Sequence, residues 1–157
     1  MRALLAAPAL LAVLAGPASA LSCMRPDPAS SFTRAANAAE RYVIVEGRLR
    51  YNPRSMPPAP YPTDPPLERH TTGHVEGNAL SKNGFDIPFS ADIDMDFVCH
   101  GTWCTDNISR GEALMFLEQT DDGYRLELTP CGGWHFFEPT QAQLATVRKC
   151  IRGQACK

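Results

Sequence analysis

Cys99 and Cys104 enclose His100, Gly101, Thr102 and Trp103. Thiol oxidoreductases place their two sulfurs in a C-x-x-C turn within a strand–helix–strand pattern; here four residues intervene and that pattern is missing. The spacing points to structural sulfurs and leaves His100 as an exposed loop residue. His70 and His74 stand four apart in strand-like sequence. On a strand such a pair shares a face but lies roughly 13 Å apart, too far to share one metal ion. Asp92, Asp94 and Asp96 alternate with Ile93, Met95 and Phe97. A cation site needs oxygens converging from several directions, and a strand spreads them out. The stripe reads as a solvated face or as a docking surface for a basic partner. No G-x-S-x-G and no glycine-rich phosphate loop occurs. The expectation is a non-enzymatic chain with no cofactor and no metal site.

These groups depend on the elements around them. From Glu112 onward two apolar runs flank Asp121-Asp122-Gly123, which is hairpin turn chemistry. Tyr124, Leu126 and Leu128 alternate with Arg125, Glu127 and Thr129, giving one buried and one wet face. Cys131 ends that strand, and the aromatic run Trp134, His135, Phe136 and Phe137 follows. Trp134, Phe136 and Phe137 are expected in the core. Pro139-Thr140 opens a helix with Leu144, Val147 and Ile151 on one stripe and Gly153 as its stop.

Earlier in the chain, Leu21–Phe32 is proline-rich and reads as extended, and Thr33–Glu40 as a short helical turn. Arg41–Tyr51 is a strand buried on both faces near its start, with a bulge or bend expected at Gly47. Residues 52–66 carry seven prolines in fifteen positions, an extended loop without ladder pairing. Leu67–Leu80 and Phe85–Val98 are strands around an Asn83-Gly84 turn. Five strands and one C-terminal helix suit a mainly β fold, a small five-stranded Greek-key barrel of the OB type.

The first twenty residues read as a signal peptide: Met1-Arg2, an Ala/Leu run, then Ala18-Ser19-Ala20. Cleavage there leaves a single domain, residues 21–157. A lipoprotein anchored at Cys23 would want Leu three residues earlier, where Ala20 stands. All six cysteines follow the leader, which is a disulfide framework for a secreted or periplasmic chain. Six cysteines allow about 15 connectivities, and spacing does not choose among them. The formal net charge is −2, and losing Arg2 with the leader adds one negative unit. With no basic run, nucleic acid is not an expected partner. No second apolar span follows, so the mature form is not expected to span a membrane. Asn107-Ile108-Ser109 fits the glycosylation pattern.

Four stretches resemble the netrin-like N-terminal domain of the tissue inhibitors of metalloproteinases. They are Ser22-Cys23-Met24-Arg25-Pro26 continuing to Phe32 and Tyr42–Gly47; Phe97-Val98-Cys99 with Gly101; Leu114–Cys131; and Cys131, Trp134, Thr140 and Gln141 running into a helix that closes on Cys156. The resemblance spans most of Ser22–Lys157. It implies that Cys23 pairs with Cys131. The family partners of Cys99 and Cys156 are missing, so it further implies Cys99–Cys104 and Cys150–Cys156. Those inhibitors start at a cysteine whose free amine and carbonyl chelate the protease zinc. Here that position is Leu21, without a sulfur to hold it.

What the resemblance implies is an exported protein-binding module of the netrin-like, protease-inhibitor type. Its binding edge is Leu21, Ser22, Cys23 and Met24 with His100 and Trp103, and the proline loop is a candidate extension of it. One alternative is a true metalloprotease inhibitor acting through the Leu21 amine and carbonyl, with a zinc protease as partner. The other is a small-ligand-binding OB-fold protein.

Overall fold

A computed structural model describes residues 22–55, 68–100, 103–105 and 108–156. The leader at residues 1–20, Leu21, the proline-rich stretch after Ser55, and Asn107 of the glycosylation pattern lie outside the described residues.

The first element corrects an expectation. Residues 28–32 are helical: α1 runs Pro28–Asn37. Asp27 caps it, its carboxylate accepting from Ala29 N at 2.9 Å and Ser30 N at 3.0 Å, and Pro28 occupies the first turn, where its missing N–H costs nothing. The Ser30 hydroxyl and these backbone bonds hold the Asp27 carboxyl below the usual range. An Asp-Pro pair is a helix-start signal as well as a turn signal, and the proline count hid it.

The strands are β1 (Arg41–Tyr51), β2 (Glu68–Ser81), β3 (Gly84–His100), β4 (Trp103–Cys104), β5 (Gly111–Gln119), β6 (Tyr124–Leu128) and β7 (His135–Phe137). The five expected strands are present, joined by the short β4 and β7, so the sheet has seven strands rather than five. Antiparallel ladders join β1 to β2, β2 to β3, β6 to β5 and β5 to β1; β3 and β6 are parallel. The pairings therefore return to the strand they started from. No bulge interrupts β1 at Gly47: the strand stays in register through Gly47↔Gly77, and the irregularity lies between Ala79 and Leu80.

The core follows the alternation. Ile93, Met95 and Phe97 on β3 and Leu126 and Leu128 on β6 point inward. Ala113–Leu117 on β5 are buried in succession, so both faces of that strand are covered. Trp134 and Phe136 join the core, but Phe137 is 42% exposed and corrects the expectation of a wholly buried aromatic run. It follows Phe136 on β7, and alternation sends neighbouring side chains to opposite faces.

Helix α2 spans Gln141–Ile151. Thr140 and Gln143 form a reciprocal capping box, and Gly153 at φ +71° closes the other end. There Gln154 N donates to Lys149 O and Gly153 N to Cys150 O, the Schellman pattern. Leu144, Val147 and Cys150 are the buried stripe; Ile151 is only half-buried. The Arg152 guanidinium ties the helix end to the β2–β3 turn through Lys82 O at 2.9 Å and Asn83 O at 3.3 Å.

Candidate functional site

The disulfides join Cys23 to Cys131, Cys99 to Cys104 and Cys150 to Cys156. Their placement organises one rim of the sheet. The parallel register Phe97↔Leu128 makes β3 and β6 end side by side. Cys99 lies two residues past Phe97 and Cys131 three past Leu128, so the first two bridges leave the same end of adjacent strands. The end of β1, the starts of β2 and β5 and the short β3–β4 ladder lie at this end too, because Tyr51 pairs with Gly73, Glu68 with Val98, Leu49 with Gly111 and His100 with Trp103. The Tyr51 hydroxyl donates to Ile108 O at 2.9 Å, and the buried Arg69 donates to Thr105 O.

On this rim Ser22, Cys23, Met24 and His100 are exposed, and Trp103 stands opposite His100 across β3–β4. Met24 is 90% and Trp103 57% exposed. Large apolar side chains in water are unfavourable unless they have a second use, and as rigid or adaptable knobs they suit protein contact. Leu21, two residues before the Cys23 bridge, lies outside the described residues.

The His and Asp residues occupy a different surface, the outer face of β2–β3. His70 Nδ1 lies 2.8 Å from Asp96 Oδ1, and His74 Nδ1 lies 2.7 Å from Asp92 Oδ1. The register pairs each histidine directly with its own aspartate. Three acidic residues thus become two histidine–aspartate couples around Asp94. Arg125 closes a shallow groove of about 570 Å³ here and donates to both oxygens of Glu118, at 2.8 and 2.7 Å. That bond raises the Arg125 pKa. Ser90 Oγ lies 3.3 Å from His74 Nε2, which completes a serine–histidine–aspartate order. Asp92 is 90% exposed, however, so water screens the imidazolium it would need to stabilise, and the buried orienting carboxylate of triad chemistry is missing. Among the described residues no cluster of three or more His, Cys, Asp or Glu side chains could hold a metal ion.

At the opposite end of the sheet, an apolar groove of about 420 Å³ is lined by Tyr42, Ile44, Ile87, Phe89, Tyr124 and Ile151 among others. Burial and then the charge of Glu118 raise the Tyr42 pKa. Nearby in sequence to the rim, His135 on β7 is half-buried with its Nε2 shielded from solvent, and desolvation lowers its pKa to about 4.

Sequence reasoning named Arg25 only as part of the leading segment and passed over Arg34, Gly132 and Gly133. They line a cavity of about 460 Å³ beside the Cys23–Cys131 bridge. Only the fold brings α1 to the loop before β7, so no local pattern marks them.

No family model, no curated protein and no solved structure matches this chain.

Proposed function

We propose that the chain is a protein-binding module of the netrin-like, metalloproteinase-inhibitor type, built on an OB-type five-stranded barrel and carrying no catalysis of its own. The returning cycle of five strand pairings, with its single parallel step between β3 and β6, supports the barrel reading. Three disulfides fit an oxidising compartment, and among the described residues no helix is long and apolar enough to cross a membrane. The observation that carries the functional reading is the Cys23–Cys131 bridge, with Cα atoms 5.2 Å apart. It fastens the leading segment to the end of the sheet from which the Cys99–Cys104 bridge also leaves, and Met24 and Trp103 are both exposed. A tethered segment loses less entropy on binding than a free one.

The test has two parts. The first residue of the exported protein is determined, and that protein is titrated against a panel of zinc proteases. Inhibition requiring a free Leu21 amine identifies a zinc-chelating inhibitor. Binding without inhibition identifies a docking module. If Met24→Asp and Trp103→Asp leave capture of every partner unchanged, the rim is not the binding surface. The apolar groove at the far end supports a second reading, a carrier of small neutral ligands. Titration with a neutral apolar dye, with Phe89→Ala as the control, tests it.

A further inference from the structure

The Arg34 guanidinium is held in an unusual seat. Its Cζ lies 3.8 Å from the centroid of the Trp134 ring. Trp134 is itself buried and stacks on Tyr42, with centroids 4.9 Å apart and planes 16° from parallel. A cation on two stacked rings has its face satisfied and its plane fixed. Its N–H donors lie in that plane and stay available for oxygen acceptors. Among the described residues no carboxylate lies within ion-pair distance of Arg34 or Arg25, and Arg34 donates to no protein acceptor.

The loop beneath it is shaped for close approach. Gly133, at φ +107°, passes under the guanidinium edge, and a Cβ there would stand 2.6 Å from Arg34 Nη2. Gly132 also has positive φ, at +66°. Bare backbone at both positions keeps the cavity of about 460 Å³ open between Met24, Arg25, Ser30 and the loop. The one carboxylate in its wall, Asp27, is already engaged by Ala29 N, Ser30 N and the Ser30 hydroxyl. Among the described residues, two cations and one carboxylate already hydrogen-bonded within its own helix therefore line the cavity.

We infer that this cavity is a carboxylate-binding subsite in which Arg34, pinned on Trp134, grips the anion as a fork and Arg25 adds charge. A fixed fork loses little freedom on binding, and charge-assisted bidentate bonds are the strong ones. The carboxylate is either an acidic side chain or a chain terminus of a peptide. The subsite does not depend on the rim being a protein-binding surface, because a short peptide suffices to fill it.

The test is a nuclear magnetic resonance titration of the isotope-labelled exported protein with two peptides. Acetyl-Ala-Glu-Ala-amide offers a side-chain carboxylate alone. Acetyl-Ala-Gln-Ala free acid offers a terminal one alone. Saturable shifts of the Gly132 and Gly133 amides and the Trp134 indole with either peptide are expected, at millimolar affinity, and the better peptide identifies the source. Arg34→Gln should weaken binding at least about tenfold, the loss expected of one charge-assisted pair. Arg34→Lys, which keeps the charge and loses the fork, should fall between. Trp103→Asp should leave the titration unchanged, so failure of the rim reading is seen separately. Shifts that track ionic strength without saturating, or an Arg34→Gln protein that titrates like the parent, overturn the inference. In that case Arg34 only covers Trp134.

Discussion

Gly47 and Gly77 face each other across β1 and β2, and neither leaves space for a side chain on the other. A Cβ built on Gly47 falls onto the Glu76 carbonyl oxygen and comes within 2.7 Å of Gly77 Cα; one built on Gly77 falls onto the Glu46 carbonyl oxygen. β1 cannot move aside, because its other edge pairs with β5 through Gly47↔Ala113. Gly77→Ala is therefore expected to cost about 2–3 kcal/mol, in the range of overpacked cores. Urea unfolding measures it, and a loss under about 0.5 kcal/mol, the size of a neutral surface change, would show that the strands have slack.

The half-buried His135 makes stability fall in acid. Its folded pKa is lowered to about 4 by desolvation, whereas a histidine in the unfolded chain titrates near 6.5. Between those values the unfolded state binds the extra proton. The contribution is present in full above the unfolded pKa and drains away as pH falls toward the folded one. A drop of about 2–3 kcal/mol between pH 7 and pH 4.5 is expected. Asp27, with its lowered pKa, pulls in the same direction at lower pH. The urea midpoint of His135→Gln should fall less over this range, and equal slopes would assign the acid loss elsewhere.

The disulfides should rank by the loops they close. Cys23–Cys131 has a sequence separation of 108, against 5 and 6 for the other two. Loop-closure entropy gives about 4–5 kcal/mol for the long bridge and about 2 for each short one. Paired Cys→Ser variants, compared by denaturant unfolding, check the order. A long-bridge variant no less stable than a short-bridge variant would contradict it.

Thr140 begins α2 with a hydrogen bond from Gln143 N at 3.2 Å, and Gln143 answers at Thr140 N at 2.8 Å. Thr140→Ala should cost about 1 kcal/mol, and Thr140→Ser little. Because α2 buries its own Leu144 and Val147 in the core, the loss should appear in global unfolding rather than in local fraying.

Several parts of this architecture are visible one residue at a time. The Asp92–Phe97 alternation, the Thr140 cap and the Gly153 stop each encode their structure within a few neighbours, and the turn expected at Asn83-Gly84 lies one residue earlier, at Lys82-Asn83, because Gly84 already pairs with Ser81. Asp27-Pro28 encoded a helix start as well, but surrounding prolines obscured it. Gly47 was recognisable as exceptional, yet its reason was hidden. It serves close strand approach rather than a bulge, and its partner Gly77 lies far along the chain.

The amino-acid order by itself determined the five long strands, the C-terminal helix, the inward faces and a cysteine framework, because periodicity, capping and turn chemistry act over short distances. Which strands lie side by side was decided in three dimensions. So were the joining of β3 to β6 in parallel, the gathering of Met24 and Trp103 on one rim, and the seating of Arg34 on Trp134. Those relations depend on loop closure and on packing between distant segments, and no local pattern of residue types carries that information.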